Sequence, residues 1–354
     1  MKKEILITLD RLKYPNCGLG RYSIDFGEAI SLINDPALSF NFLLPRKGYQ
    51  SLENHNHTKC IKLDIIKKNS CRYQKKFDLI HVTHQLPSFK INSDIKRIIT
   101  IHDLNHLITK DLKKSEQYIK RIQTNINNSD GVIFISNFTK DYCTQNLILP
   151  SDKIYTIIHN GINIPNILAT RPHALKTTKK FLFTIGQVQP KKNFHTLIPF
   201  LSKISDEYDL VIAGELCNIQ YLETIKDAIK IHKIENRVHL LGSISESEKR
   251  YLYENCEAFV FPSIAEGFGM PVIEAMRFKK PVFSSDKTSL KEIGDRFAFF
   301  WTNFDPLHMK SVFENHMQQI DELHIEAAYR YSLKYSWESN VKQHLQIYHS
   351  VLNQ

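Results

Sequence analysis

Apolar positions in this chain fall into short, nearly continuous runs separated by longer amphipathic stretches. In the first half the runs are Ile5–Leu9, Phe40–Leu44, Leu79–Thr83, Arg97–His102, Gly131–Ser136 and Ile154–His159. A half-exposed strand would alternate with period two, so runs of this kind predict strands of a parallel sheet covered on both faces. Stretches with helical spacing fall among them, at Gly20–Ile33, Lys114–Ile126 and Phe138–Asn146. The second half repeats the rhythm with Phe181–Ile185, Asp209–Ala213, Arg237–Leu241, Ala258–Phe261 and Pro281–Ser284. Ser245 and Glu248 form a capping-box pattern that predicts a helix start. The alternation predicts an α/β protein of two Rossmann-like, doubly wound units. Their expected spans are 1–165 and 166–335, with a seam in the Pro- and Lys-containing stretch 164–180 and a terminal helix over 336–354.

Composition narrows this picture. A chain of 354 residues exceeds what one core usually serves, and 42% hydrophobic with 24% charged residues is ordinary for a globular protein. No run approaches the ~18–20 apolar residues that cross a bilayer. The opening MKKEILITLD imitates a signal peptide, but Asp10, Arg11 and Lys13 break the run and no small-residue cleavage site follows, so it reads as a first strand. Cys17, Cys60, Cys71, Cys143, Cys217 and Cys256 include no CxxC pair, which fits reduced thiols of a cytosolic protein better than a zinc site or disulfide framework. A formal charge of +10 implies anionic company: nucleic acid, an acidic membrane or phosphorylated ligands. Neither an RNP-type aromatic motif nor zinc-finger spacing is present, so no nucleic-acid partner is expected.

In doubly wound folds ligands sit at the carboxyl ends of strands, where glycine turns meet helix N-termini. After the first strand comes Gly18-Leu19-Gly20-Arg21-Tyr22, an incomplete dinucleotide fingerprint with Ser23 in place of the third glycine. After Phe181–Ile185 comes Gly186-Gln187-Val188-Gln189-Pro190-Lys191-Lys192-Asn193, a glycine turn with two lysines at an expected helix start, suited to a diphosphate. After Ala258–Phe261, Glu266 lies in a glycine-rich loop, Pro271 suits a first helical turn, and Glu274 follows within that helix. Two carboxylates beside a phosphate-binding loop suit a ligand that also carries hydroxyls. Each segment alone also has a plain reading: a turn, a solvated lysine pair, or a glutamate complementing a helix dipole. His81 and His84 point to opposite faces of a strand end, a poor metal geometry, and are read as structural or acceptor-contacting.

At PSIAEGFGMPVIEAM the sequence resembles the family-4 glycosyltransferases, retaining enzymes of GT-B fold, with Glu266 and Glu274 as their E-x7-E signature. GLGRY, TIHDL, FISNFTK, HNGI and GQVQPKKN fall in that family's order, and the resemblance spans nearly the whole chain. It implies two Rossmann-like domains with a cleft between them. Residues 1–165, with a crossover helix at 336–354, form the acceptor side, and 166–335 bind a nucleotide-sugar donor. Glu274 would hold the donor ribose and Glu266 would face the transferred sugar. Backbone of Gly267, Phe268, Gly269, Met270, Pro271 and Val272 would bracket sugar and phosphates, and Lys192 would neutralise the diphosphate. Gly18, Gly20, Gly186 and Lys191 complete the donor set, while Arg21, His102 and Asp103 are assigned to the acceptor side. His102, Glu266 and Lys192 are the expected catalytic residues. Gln187 departs from the arginine that often follows the glycine, and Lys191 compensates, as in a subgroup reading P-R/K-K-N.

The implied chemistry needs no metal and no cofactor beyond the donor. Cations and helix dipoles stabilise the leaving diphosphate, whose oxygen takes the acceptor proton, so Glu266 is not a nucleophile. GxGRY, TIHDL and P-R/K-K-N together are most similar to bacterial mannosyltransferases of surface-polysaccharide and lipopolysaccharide assembly. GDP-mannose is the favoured donor; UDP-hexoses, GDP-fucose and dTDP-rhamnose are the alternatives. The acceptor is expected to be a glycan or lipid-linked oligosaccharide, met in the cytoplasm with peripheral contact at the anionic inner face of the membrane. The competing classes are a silent GT-B scaffold and a basic nucleic-acid-binding protein, and the intact glutamate pair argues against silence.

Overall fold

The computed structural model describes residues 2–14, 17–45, 52, 58–109 and 112–354, the side chains of 109 and 112–114 excepted. The chain divides into two compact units, residues 1–163 with 335–354 and residues 164–334. The first holds strands β1 (Lys3–Thr8), β2 (Leu38–Pro45), β3 (Thr58–Leu63), β4 (Leu79–Val82), β5 (Lys96–Ile101), β6 (Gly131–Phe134) and β7 (Ile154–Ile157). The second holds β8 (Lys180–Ile185), β9 (Tyr208–Ala213), β10 (Val238–Gly242), β11 (Ala258–Phe261), β12 (Val282–Ser285) and β13 (Phe299–Trp301).

The sheet orders are β3-β2-β1-β4-β5-β6-β7 and β10-β9-β8-β11-β12-β13. Every pairing among the described residues is parallel, with Ile5 of β1 flanked by Phe40 and Leu79, and Phe183 of β8 by Val211 and Phe259. Each strand order reverses once, at β1/β4 in the first sheet and at β8/β11 in the second. Those two switch points are where doubly wound sheets open a crevice at their carboxyl edge.

Burial explains the continuous apolar runs. Ile5, Leu6 and Ile7 in β1 and Leu182 and Phe183 in β8 have no exposed surface, because helices cover both faces. Each such side chain contributes about 1.5–3 kcal/mol relative to exposure. The Trp337–Leu352 helix belongs to the first unit and buries Val341, His344, Ile347, Tyr348 and Val351, the spacing of one helical face.

Two strands escape the sequence pattern, and both lie at sheet edges. β3 reads TKCIKL with Lys59 and Lys62 exposed, a charged edge that discourages further strand pairing. β13 has three residues and starts half-buried. The sequence pattern had placed Lys191 and Lys192 at the start of an α-helix. They stand instead on a 3-10 turn, Pro190–Lys192, because Asn193 turns left-handed (φ 58°) and delays the α-helix to Leu197–Leu201.

Candidate active site

The second unit's switch point carries a tightly interlocked group of side chains. Gly186 follows β8 and Gly214 (φ 132°) follows β9, and an added Cβ at 214 would collide with the Gly186 carbonyl oxygen. Glycine at 214 therefore lets the two strand ends touch. After Gly186 the chain passes through the 3-10 turn Pro190–Lys192, and the Lys192 side chain packs back against Gly186. Its Nζ donates to Glu266 Oε1 at 2.6 Å and sits 4.9 Å from the Phe261 ring centre. The two side chains are only 11% and 13% exposed.

Buried Ser263 donates its hydroxyl to the same Glu266 oxygen at 2.6 Å, and the Ile264 amide donates to the Lys191 carbonyl at 2.9 Å. The loop after β8 and the loop after β11 are thereby tied together. Burial pushes the Glu266 carboxyl up, but Lys192, then Lys191 and the hydrogen bonds from Lys192 and Ser263, outweigh it and hold it below the usual carboxylate range. Glu266 is a fixed anion beside two cations.

The glycine-rich loop is held from the opposite side by residues after β12. The Glu266 amide donates to Thr288 Oγ1 at 3.0 Å, and Ser289 Oγ donates to the Glu266 and Phe268 carbonyls at 3.0 Å each. Ser285 donates to the Ser263 carbonyl. Gly269 closes the loop at φ 104°, packed so that a Cβ would fall 2.6 Å from Leu290 Cδ2. The Met270–Arg277 helix begins there with no side-chain cap and with Pro271 in its first turn. An anion placed at that end would meet the positive pole of the helix.

Glu274 lies one turn further along, 13% exposed, with both oxygens engaged. Oε2 accepts from Tyr253 at 2.8 Å and Oε1 from Lys249 at 3.2 Å. Tyr253 is fully buried, stacked on Phe278 at 5.2 Å and edge-on to Phe183 at 5.0 Å. Burial and the Glu274 charge push its phenol far up, so it remains a donor. Lys249 and Tyr253 project from the Glu246–Asn255 helix, whose capping box forms with Ser245 and Glu248 bonded reciprocally. Each carboxylate oxygen retains a second lone pair, which leaves Glu274 able to accept from a diol.

Ser263, Thr288, Ser289, Lys249 and Tyr253 were not singled out in the sequence. The i,i+4 spacing of Lys249 and Tyr253 was the one available signal that they share a face.

The first unit's switch point holds neutral histidines. His102, 4% exposed after β5, donates Nε2–H to the Thr83 carbonyl at 2.8 Å, which leaves Nδ1 an acceptor. Burial drives its pKa down to about 4, against the opposing pull of Thr83 and Asp103. His84 Nδ1 accepts from Arg11 at 2.8 Å, and burial followed by the Arg11 charge lowers its pKa well below the ordinary value. The two rings lie 6.0 Å apart.

Asp103 Oδ1 accepts from the Asn105 amide at 3.1 Å, and its carbonyl accepts from Gln85 at 2.9 Å. Arg21 pairs with Asp25 at 2.9 Å on the Gly18–Ser31 helix, which Gly18 opens at the surface and in whose first turn Gly20 is buried. His81 is wholly buried between Tyr348 (2.7 Å) and Thr100 (2.8 Å) and is structural. Among the described residues no group of three His, Cys, Asp or Glu side chains could hold a metal ion.

Residues 57–165 match the model for Glycosyltransferase Family 4, and residues 168–297 match that for Glycosyl transferases group 1. The O-antigen chain mannosyltransferase RfbU of Salmonella typhimurium is 27% identical over 247 residues, 69% of this chain and 67% of that protein. The O-antigen chain mannosyltransferase B of Escherichia coli is 22% identical over 327 residues, covering 82% of this chain and 84% of the relative. A crystal structure of Anabaena Alr3699/HepE in complex with UDP and glucose superposes with a TM-score of 0.75 at 16% identity, over 98% of this chain and 100% of that one, a likeness of fold.

Proposed function

This chain belongs to the GT-B glycosyltransferases, its two family domains covering about two thirds of its length, and from that premise we propose a retaining mannosyltransferase that uses GDP-mannose. The transfer is to a glycan or lipid-linked acceptor in surface-polysaccharide synthesis, at the cytoplasmic face of an anionic membrane. The Lys192–Glu266 pair at the β8/β11 switch point carries the reading, because it sets a cation for a diphosphate beside a carboxylate for sugar hydroxyls. The mannosyltransferase relatives at 22–27% identity support the choice of sugar.

In the proposed reaction the diphosphate lies against Lys192, Lys191 and the start of the Met270–Arg277 helix, where positive charge and backbone dipoles offset the charge that develops on the leaving oxygen. The glycosidic carbon–oxygen bond to that phosphate lengthens through an oxocarbenium-like state. The acceptor hydroxyl attacks from the same face and gives its proton to the departing oxygen. Glu274 holds the ribose diol, and Glu266 accepts from sugar hydroxyls without forming a bond to carbon. His102, neutral with Nδ1 accepting, is assigned to the acceptor side together with Arg21 and Asp103 of the same unit.

Calorimetric titration of GDP, UDP and dTDP into the purified chain, with Lys192→Ala as control, tests the donor. Tight binding of GDP that weakens in the variant is expected. Selective binding of UDP or dTDP would replace GDP-mannose, and binding of none would remove the enzymatic reading.

A further inference from the structure

The charge excess is not shared by the two units. The unit formed by 1–163 and 335–354 contains 25 Lys and Arg against 16 Asp and Glu, and the unit 164–334 contains 22 against 21. The proposed donor site lies in the second, nearly neutral unit, so a nucleotide sugar does not account for the basic excess. Within the first unit the excess is local. Residues 59–76 carry seven cations and one acid, Asp64.

That acid is already committed: it caps the short Ile65–Asn69 helix through the Lys67 amide at 2.8 Å and pairs with Lys67 Nζ at 2.7 Å. Ile65 and Ile66, on the first turn of the helix, are 72% and 77% exposed, the only adjacent pair of large aliphatic residues so exposed among the described residues. Lys68 on the same helix and Arg72, Lys75 and Lys76 in the following turn are exposed, as is Lys90, whose amide donates to the Lys68 carbonyl at 3.0 Å.

We infer that the basic, isoleucine-tipped segment Lys59–Lys76 is the surface by which this chain docks on an anionic lipid bilayer. The inference rests on the membrane part of the reading above and gives it a location. Two aliphatic side chains held out in water are unfavourable on a soluble face, but gain apolar contact when they enter the acyl boundary while lysines meet lipid phosphates. A nucleic-acid surface would use cations and polar or aromatic groups, and paired isoleucines add nothing to it.

Topology adds a functional reason. The Ile65–Asn69 helix directly follows β3, at the carboxyl edge of the sheet, the same edge from which Thr83, His84 and His102 emerge after β4 and β5. A bilayer at that edge would present a lipid-linked acceptor on the side of the sheet where its hydroxyl is needed.

Sedimentation of the full chain with phosphatidylglycerol–phosphatidylcholine vesicles, against phosphatidylcholine alone, tests this over a salt series. The wild type should bind the anionic vesicles and release with salt. A basic residue at an anionic surface contributes about fivefold to partitioning, so the variant with Lys68, Arg72, Lys75 and Lys76 all changed to Ser should lose at least about 100-fold. Ile65→Ser with Ile66→Ser should lose about tenfold and become more salt-sensitive. Both variants should bind nucleotide as the wild type does, which shows that they are folded. Wild-type protein that ignores anionic vesicles overturns the membrane reading and this surface together. Variants that bind vesicles as tightly as wild type overturn the surface alone. Tighter binding to a duplex oligonucleotide than to vesicles, lost in the same variants, reassigns the segment to nucleic acid and also overturns the proposal.

Discussion

Lys192→Met isolates the central claim about the donor site. It keeps the aliphatic stem over Phe261 and removes the charge that lies 2.6 Å from Glu266. Breaking a buried ion pair by deleting one partner typically costs about 3–5 kcal/mol. Here Glu266 keeps the Ser263 hydroxyl at 2.6 Å and a 13% exposed edge, so a loss of about 2–3 kcal/mol near neutral pH is expected. The pH dependence has a definite sign. In the wild type Glu266 is held below its ordinary value of 4.5, so the pair stabilises the fold above that pH and the contribution is lost as pH falls through the lowered value. Without Lys192 the strongest opposition to burial is gone, and the carboxyl titrates higher in the variant's fold than in the wild type's. The variant's penalty should then shrink on acidification, because its carboxyl takes a proton before the wild type's does. Urea unfolding from about pH 7 to about pH 4 measures the gap. A gap that stays constant or widens on acidification refutes the electrostatic account. Adding Glu266→Gln should restore most of the stability but none of the turnover, because a neutral pair no longer strands a buried charge while the diphosphate still lacks its cation. The single variant should lose about 10²–10³ in kcat/KM, and near-normal turnover would end the catalytic assignment.

Tyr253→Phe removes a donor to Glu274 and leaves the stack on Phe278, so nucleotide Kd should rise about tenfold with kcat little changed; an equal fall in kcat would place Glu274 in the chemical step instead. Gly269→Ala should destabilise by about 1–3 kcal/mol through its left-handed φ and the clash with Leu290, and an unchanged Tm would show that the loop relaxes freely. His102 and His344, both pushed down to about 4 by burial, are neutral in the fold and take protons first when unfolded. Stability should therefore be full above about pH 6.5 and fall by up to about 3 kcal/mol per histidine toward about pH 4, with a shallower slope in His344→Asn. Because the donor-side unit is nearly neutral overall, nucleotide affinity should fall only modestly with salt while vesicle binding falls steeply, and parallel salt slopes would count against separate anion sites.

The parallel sheets were legible because central strands such as Ile5–Leu9 and Phe181–Ile185 are covered on both faces and so read as unbroken apolar runs. Edge strands fail that test for a physical reason: β3 keeps two lysines in water and β13 is too short to show a period. The placement of Glu266, Glu274 and Lys192 was also legible, since each stands at a strand end or helix start where a glycine or proline marks the turn. Their supports were not. Thr288 and Ser289 follow a different strand from the loop they hold, and only the sheet order brings β12 beside β11. Beyond its spacing from Lys249 nothing in the sequence marks Tyr253, and its hydroxyl acquires meaning only through the 2.8 Å contact with Glu274.

Charge shows the same division between what a sequence totals and what a fold allocates. The sum of +10 suggests phosphorylated ligands, yet the unit that carries the proposed phosphate-binding loop has a net formal charge near zero. Its cations work by placement. Lys192 is nearly dry, aimed by Glu266 and seated on Phe261, so it acts at short range in a low dielectric where one charge counts for more than several solvated ones. In the other unit the cations of residues 59–76 outnumber the single acid and are largely solvated, an arrangement that acts by field over about a Debye length and suits a broad anionic surface better than a small anion. On the proposed reading, the two kinds of positive charge answer to two kinds of anion, one selected by geometry and the other by density.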